Sequence, residues 1–255
     1  MVTMAPRSGP PAALNQAVDG LIAAGYYAEA LALPAQFVAR GSGDTCSELL
    51  VQINLAEAEY NLGRWAAAWD RLRDLDPLAA AFPIARAGLA QQRAWIAAHT
   101  GKAEEALHHW RRAEPRDLPR IYHAEYFFTG AVALTAAGRL DAGCDCARSA
   151  AGAAIRPSSK RNALFIRARV AAAMSEWTRA EALCHAAAVH RYRAQGGDGL
   201  LFWGEVLLRL GYPEEAHRAY ALAIERDGQS ESARVAAQRL AEVGGLHETR
   251  VPEPR

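Results

Sequence analysis

One turn-and-helix signature returns along this chain at an almost fixed interval, and it restricts the possible folds more than any other feature. The copies are Gly25-Tyr26-Tyr27-Ala28-Glu29-Ala30, Gly63-Arg64-Trp65-Ala66-Ala67-Ala68, Gly101-Lys102-Ala103-Glu104-Glu105-Ala106, Gly138-Arg139-Leu140-Asp141-Ala142-Gly143, Ser175-Glu176-Trp177-Thr178-Arg179-Ala180 and Gly211-Tyr212-Pro213-Glu214-Glu215-Ala216. Their turn residues fall at 25, 63, 101, 138, 175 and 211, giving spacings of 38, 38, 37, 37 and 36. A period in this range marks a stacked-repeat protein, because one unit cannot bury its apolar face alone and must stack on its neighbours.

The small residues around each turn have a steric reason. Seven positions before it stand Val18, Ala56, Ala94, Ala131, Ala168 and Gly204, and five after it Ala30, Ala68, Ala106, Gly143, Ala180 and Ala216. Two antiparallel helices on a short turn approach closely only where their facing side chains are small. A glycine at the turn ends the first helix, since it adopts the left-handed conformation at little cost. Tyr27, Trp65 and Trp177, two past the turn, are placed to wedge against the next hairpin. Twelve past it the residues are again apolar: Phe37, Leu75, Ala113, Ala150, Ala187 and Ala223.

This register resembles the tetratricopeptide repeat (TPR), over roughly residues 12–226. The period is longer than that family's roughly 34 residues. The family's leucine before the mid-helix small residue is replaced by Arg93, Gly130 and Arg167, and a closing proline is matched only loosely, at Asp76-Pro77 and Glu114-Pro115. The resemblance implies an all-α protein: a right-handed superhelical solenoid of six TPR-like hairpins with a C-terminal capping helix. Longer periods of this kind also occur in helical-repeat regions of some bacterial transcriptional activators.

Composition agrees. Alanine and leucine dominate without β-branched runs, as in helical proteins. A formal net charge of +1 implies no global attraction to nucleic acid or membrane. No apolar run of about 18 residues occurs, and Met1 to Pro11 lacks a signal-peptide core, so the expected location is cytoplasmic. Cys144 and Cys146 project about 200° apart on one helix, so Cys46, Cys144, Cys146 and Cys184 are expected to be reduced thiols, not a metal site.

Along the chain, residues 1–11 read as a disordered lead-in, 12–243 as the solenoid and 244–255 as a flexible tail. The first five hairpins are expected near 12–40, 46–75, 84–113, 117–155 and 160–194, and in the sixth the second helix is expected from Pro213 to about Arg226. Pro34 should shorten the first hairpin's second helix, Thr45 is placed to cap the second hairpin, and Asp117-Leu118-Pro119 reads as a helix start. Gly41-Ser42-Gly43-Asp44 reads as a flexible joint. A last helix, Glu231 to Val243, pairs an apolar stripe with a polar face, as a solenoid cap must.

In the TPR fold the first helix of each hairpin lines a concave groove, with residues two, three, six and ten before the turn facing inward. Carried onto this sequence, the rule gives Asn15, Asp19 and Ile22, then Ile53, Glu57, Tyr60 and Asn61, then Gln91, Trp95 and His99. It continues with Phe128, Val132 and Thr135, then Phe165 and Arg169, and finally Leu201, Glu205, Leu208 and Arg209. Tyr60, Trp95, Phe128 and Phe165 form an aromatic row on successive repeats, with Glu57, Asn61, His99, Arg169 and Arg209 setting its polarity. Such aromatics either anchor a partner or pack between helices. TPR variants that clamp a C-terminal carboxylate carry Lys and Asn where this chain has Asn15 and Asp19, which argues against that ligand.

Residues 156–193 carry eight basic side chains against Glu176 and Glu181. The run is either a solvated face or a site for an acidic partner. No catalytic constellation, cofactor loop or metal set is present, and no recognised nucleic-acid module occurs. The sequence therefore points to a non-enzymatic scaffold or adapter that binds a protein or peptide in its groove. The alternative is a regulatory module working with a transcription or signalling protein, with a small ligand in the groove. Self-association through the convex face stays open.

Overall fold

The computed structural model describes residues 11–36, 45–190 and 197–248. The lead-in, Phe37, the 41–44 joint, Arg191, Arg193 and the last residues of the tail lie outside them. The described residues are helical, with no strand. Six hairpins pair α1 (Pro11–Ala23) with α2 (Tyr27–Ala32), α3 (Thr45–Asn61) with α4 (Trp65–Arg73), and, after the single turn α5 (Asp76–Ala79), α6 (Pro83–His99) with α7 (Ala103–Arg112). Then come α8 (His123–Ala136) with α9 (Leu140–Ala153), α10 (Pro157–Ala173) with α11 (Trp177–Ala188), and α12 (Gly197–Arg209) with α13 (Pro213–Asp227), before α14 (Glu231–Glu248).

Each turn closes by the same backbone logic. Five glycines, Gly25, Gly63, Gly101, Gly138 and Gly211, have φ between 71° and 84°, and Ser175 takes φ 65° in the remaining turn. The residue after the turn donates back to the last turn of the preceding helix: Tyr26 to the Leu21 carbonyl, Arg64 to Glu59, Lys102 to Ala97, Arg139 to Leu134, Glu176 to Ala171 and Tyr212 to Leu207, all at 2.8–2.9 Å. These bonds satisfy carbonyls that the helix end would leave unpaired. The small residues flanking the turns are fully buried: Val18, Ala56, Ala94, Ala131 and Ala168 before them and Ala30, Ala68, Ala106, Ala180 and Ala216 after them are all 0% exposed.

The departures from the TPR pattern have local causes. Arg93 is buried and caps the end of α4: it pairs with Asp76 and donates to the Leu72 and Arg73 carbonyls. A cation at a helix C-terminus is favourable, and the carboxylate completes the arrangement. At Gly130 a β-carbon would stand 2.5 Å from the Trp110 ring, so that ring takes the space a leucine would fill.

One local expectation, the shortening at Pro34, is met, and two are corrected. α2 gives way to a 3₁₀ turn, Leu33–Gln36, because Pro34 has no N–H to continue the α ladder. No helix begins at Asp117-Leu118-Pro119. Two 3₁₀ turns, Pro115–Asp117 and Arg120–Tyr122, come first, and α8 starts at His123. Leu118 is extended, as a residue before proline prefers, and Asp117 pairs with Arg86 at 2.5 Å. The last helix passes Val243 and runs to Glu248.

The first helices α1, α3, α6, α8, α10 and α12 lie side by side, each after α1 also packed by the second helix of the preceding hairpin, and α14 covers α12 and α13. The stack also returns to its own beginning. The Tyr27 hydroxyl lies 3.5 Å from Asp227 Oδ2, and Gln229 Nε2 donates to Glu29 Oε1 at 3.3 Å. A β-carbon on Gly63 would stand 2.9 Å from the Glu231 carboxylate, and one on Gly25 would stand 3.3 Å from Asp227 Oδ1. The α13–α14 turn thus packs on the turns of the first two hairpins, closing the superhelix head to tail.

Candidate binding groove

Closure turns the concave face into a chamber. A cavity of about 240 Å³ draws its lining from all six hairpins, from Tyr27 and Glu57 through Trp95, Phe128 and Phe165 to Asp198 and Asp227. A second cavity, about 340 Å³, adjoins it and shares Glu57, Gln91, Gln92, Glu125 and Asn162. A third, about 370 Å³, continues along the later repeats over His99, Val132, Thr135, Arg169, Trp177 and Phe202.

The inward register follows helix geometry. Positions thirteen, nine, six and two before a turn fall on one stripe, since steps of three and four residues keep to one face. At minus six this places Asp19, Glu57, Trp95 and Arg169 on the wall. At minus nine it places Gln16, Asn54, Gln92, Thr129, Ile166 and Phe202 there, and at minus thirteen Glu125, Asn162 and Asp198. The inward rule omitted the last two registers, although the long repeat period, which gives first helices of up to 17 residues, was the signal for them.

The aromatic row lies on the chamber but is mostly packed. Tyr60, Phe128 and Phe165 are buried, while Trp95 is half-buried. Phe165 is set by α12: a β-carbon on Gly199 would stand 2.4 Å from its ring. Trp65, two past its turn, lies between Tyr60 and His99, its centroid 5.5 and 5.6 Å from theirs and nearly parallel to both. Trp95 also approaches His99, its ring tilted by 36° with the centroids 4.4 Å apart. Offset stacks of this kind are favourable beyond the area they bury. They also fix the wall between the second and third repeats.

Of the named polar residues, Glu57 and Asn61 line the chamber, His99 the third cavity, and Arg169 both. Asn61 donates to the Glu57 carbonyl at 2.9 Å, and Gln92 donates to Glu57 Oε2 at 3.0 Å. Burial pushes the Glu57 carboxyl up to about 7, with Asp19 adding repulsion and Gln92 opposing. Arg169 pairs with Asp198 at 2.8 Å and covers the Phe202 ring at 4.7 Å. Burial works against the Asp198 charge, but Arg169 and His99 outweigh it and keep that carboxyl below its ordinary range. The His99 ring opens to solvent, yet the surrounding wall desolvates it and lowers its pKa, with Asp198 opposing.

Arg209 is not among the residues lining these cavities; its guanidinium lies 5.3 Å from the centroid of Trp177. Leu201, Glu205 and Leu208 do not line them either, because α14 covers that end and Arg239 takes Glu205 at 2.9 Å. The sixth hairpin contributes Asp198, Gly199 and Asp227 instead.

The basic run 156–193 does not form one free face. Arg156 pairs with Glu125 at 2.5 Å, Arg169 with Asp198, and Arg179 with Glu176 at 2.6 Å. Arg161 is 1% exposed and reaches Asn162 Oδ1 at 3.0 Å. Most of its described cations face the interior or an adjacent carboxylate, since successive first helices bring acids from other repeats beside them. No described helix is long and apolar enough to cross a membrane.

No family model matches the sequence, and no curated protein sequence matches it. Solved structures do share its fold. The crystal structure of TTC0263, a thermophilic TPR protein in Thermus thermophilus, matches with a TM-score of 0.58 at 20% identity, over 76% of this chain and 99% of that one. A tetratricopeptide repeat protein from Parabacteroides merdae ATCC 43184 matches at a TM-score of 0.40 and 12% identity, over 92% of this chain and 98% of that one.

Proposed function

The chain has the TPR fold, an all-α solenoid, and from that premise we propose that it is a non-enzymatic scaffold that holds an extended segment of a partner protein in its chamber. The observation that carries this reading is the composition of the wall. The rings of Tyr60, Trp95, Phe128 and Phe165 and the carboxamides Asn61, Gln91, Gln92 and Asn162 line one cavity. Carboxamides offer a donor and an acceptor each, which matches the peptide groups of an extended chain. The aromatics supply apolar area with few rotamers to freeze. Arg169, paired to Asp198, and Arg156, paired to Glu125, form two fixed ion pairs on the wall.

The test is capture from the native host with the full chain as bait, beside Trp95→Ala with its helicity verified. Trp95 is chosen because it is the least buried of the aromatic row. A partner held by wild type and lost by the variant is the expected result. A partner held equally by both moves the site off the chamber. The second reading, a regulatory module with a small ligand, is favoured by the head-to-tail contact that brings Tyr27 and Asp227 together on the chamber wall. Tight binding of a defined small molecule, with no protein captured, would select it.

A further inference from the structure

The chamber's charges do not balance. Five carboxylates, Asp19, Glu57, Glu125, Asp198 and Asp227, line the two joined cavities, against three guanidiniums, Arg156, Arg161 and Arg169. Arg156 is taken by Glu125 and Arg169 by Asp198. Arg161 is turned to Asn162. Asp19, which is exposed, Glu57, which is half-buried, and the buried Asp227 form no ion pair among the described residues. Asp227 is also 7% exposed, with its Oδ1 lacking any hydrogen-bond partner there. A buried carboxylate without a counterion is unfavourable and either takes up a proton or recruits a cation.

Glu57 is placed to receive one. It lies on the wall shared by both cavities, with Gln92 holding one oxygen at 3.0 Å. Tyr60 is one helical turn away, and Trp95 occupies the same register on the next repeat; both line the chamber. A carboxylate beside aromatic rings suits an ammonium or guanidinium, which is drawn to the charge and to the rings together.

We infer that the chamber recognises a cationic group, a primary ammonium or guanidinium, on Glu57 between Tyr60 and Trp95, carried by a basic side chain of the bound segment. The inference rests on the scaffold reading above. It also runs opposite to the acidic-partner reading of the 156–193 run, whose interior cations are already engaged. The raised pKa of Glu57, from burial first and Asp19 second, is what a site missing its cation would show.

The test selects displayed random dodecapeptides on the full chain at about pH 8 and low salt, with spermidine tested separately by thermal shift. Peptides sharing a Lys or Arg are expected. The best of them should lose at least tenfold in affinity against Glu57→Gln, whose fold is verified by circular dichroism, and similarly when its basic residue is replaced by norleucine against wild type. The norleucine exchange needs no protein variant, so it decides even if Glu57→Gln misfolds. Selected peptides without a basic residue, or indifferent to both changes, overturn the inference while leaving the scaffold reading intact. No selected peptide, but stabilisation by spermidine of wild type and not of Glu57→Gln, assigns the same chemistry to a free amine and removes the peptide reading. Failure of both peptides and spermidine overturns both.

Discussion

Burial and Asp19 raise the Glu57 carboxyl to about 7, so the folded chain binds this proton more tightly than the unfolded chain does. The stability this proton contributes is fully present below the ordinary carboxylate range and is lost as pH rises through about 7. Glu57→Gln keeps an oxygen for Gln92 and removes the charge. It should raise stability at about pH 8 by on the order of 1–3 kcal/mol and much less at about pH 5. Urea unfolding at the two pH values measures the difference, and an equal gain at both would refute the assignment. A second residue-scale prediction concerns Ser175, the non-glycine at φ 65° among the turn residues. A β-carbon is strained there. Ser175→Gly should stabilise by about 0.5–1 kcal/mol after the added backbone entropy of glycine is counted; unchanged or lower stability in the same assay would show the serine to be unstrained.

Within the helices, the same substitution should act with opposite sign at two glycines. At Gly204 in α12 a β-carbon would stand 2.2 Å from the Tyr220 ring of α13, and that ring is 0% exposed. Gly204→Ala must therefore push apart two packed helices, which should destabilise by about 2–3 kcal/mol. At Gly20 in α1 nothing lies within 4 Å, and the site is exposed. Gly20→Ala should stabilise by about 0.5–1 kcal/mol through helix propensity alone. Midpoints of denaturant unfolding compare the pair; destabilisation at both would mean that Gly20 is covered in solution. The element scale is also where the inward rule stopped short. Registers minus nine and minus thirteen lie on the same stripe as the residues it named, as helical periodicity allows, but the rule was set by a shorter repeat. Glu205 and Leu208 occupy correct registers and still leave the groove, because α14 lies over α12.

For the molecule as a whole, head-to-tail closure predicts long-range coupling. In an open solenoid each repeat senses only its neighbours. Here Asp227, Gln229 and Glu231 touch Tyr27, Glu29 and the Gly63 turn. Ending the chain after Gly228 removes α14, so amide exchange should speed up in α1 and α2 as well as in α13. Loss of protection confined to α12 and α13 would mean that the ends do not hold each other in solution. The sequence by itself determined the repeat, its turns and the small residues that let paired helices approach, because these depend on backbone conformation and on contacts within one period. It also picked out the aromatic row from that register. Closure, and with it the chamber and the pairing of Arg156 and Arg169 with acids on other repeats, was decided only by the tertiary structure. Contacts such as Tyr27 with Asp227 join residues 200 positions apart, and they arise from the small rotation between repeats summed over six of them, which no single period encodes.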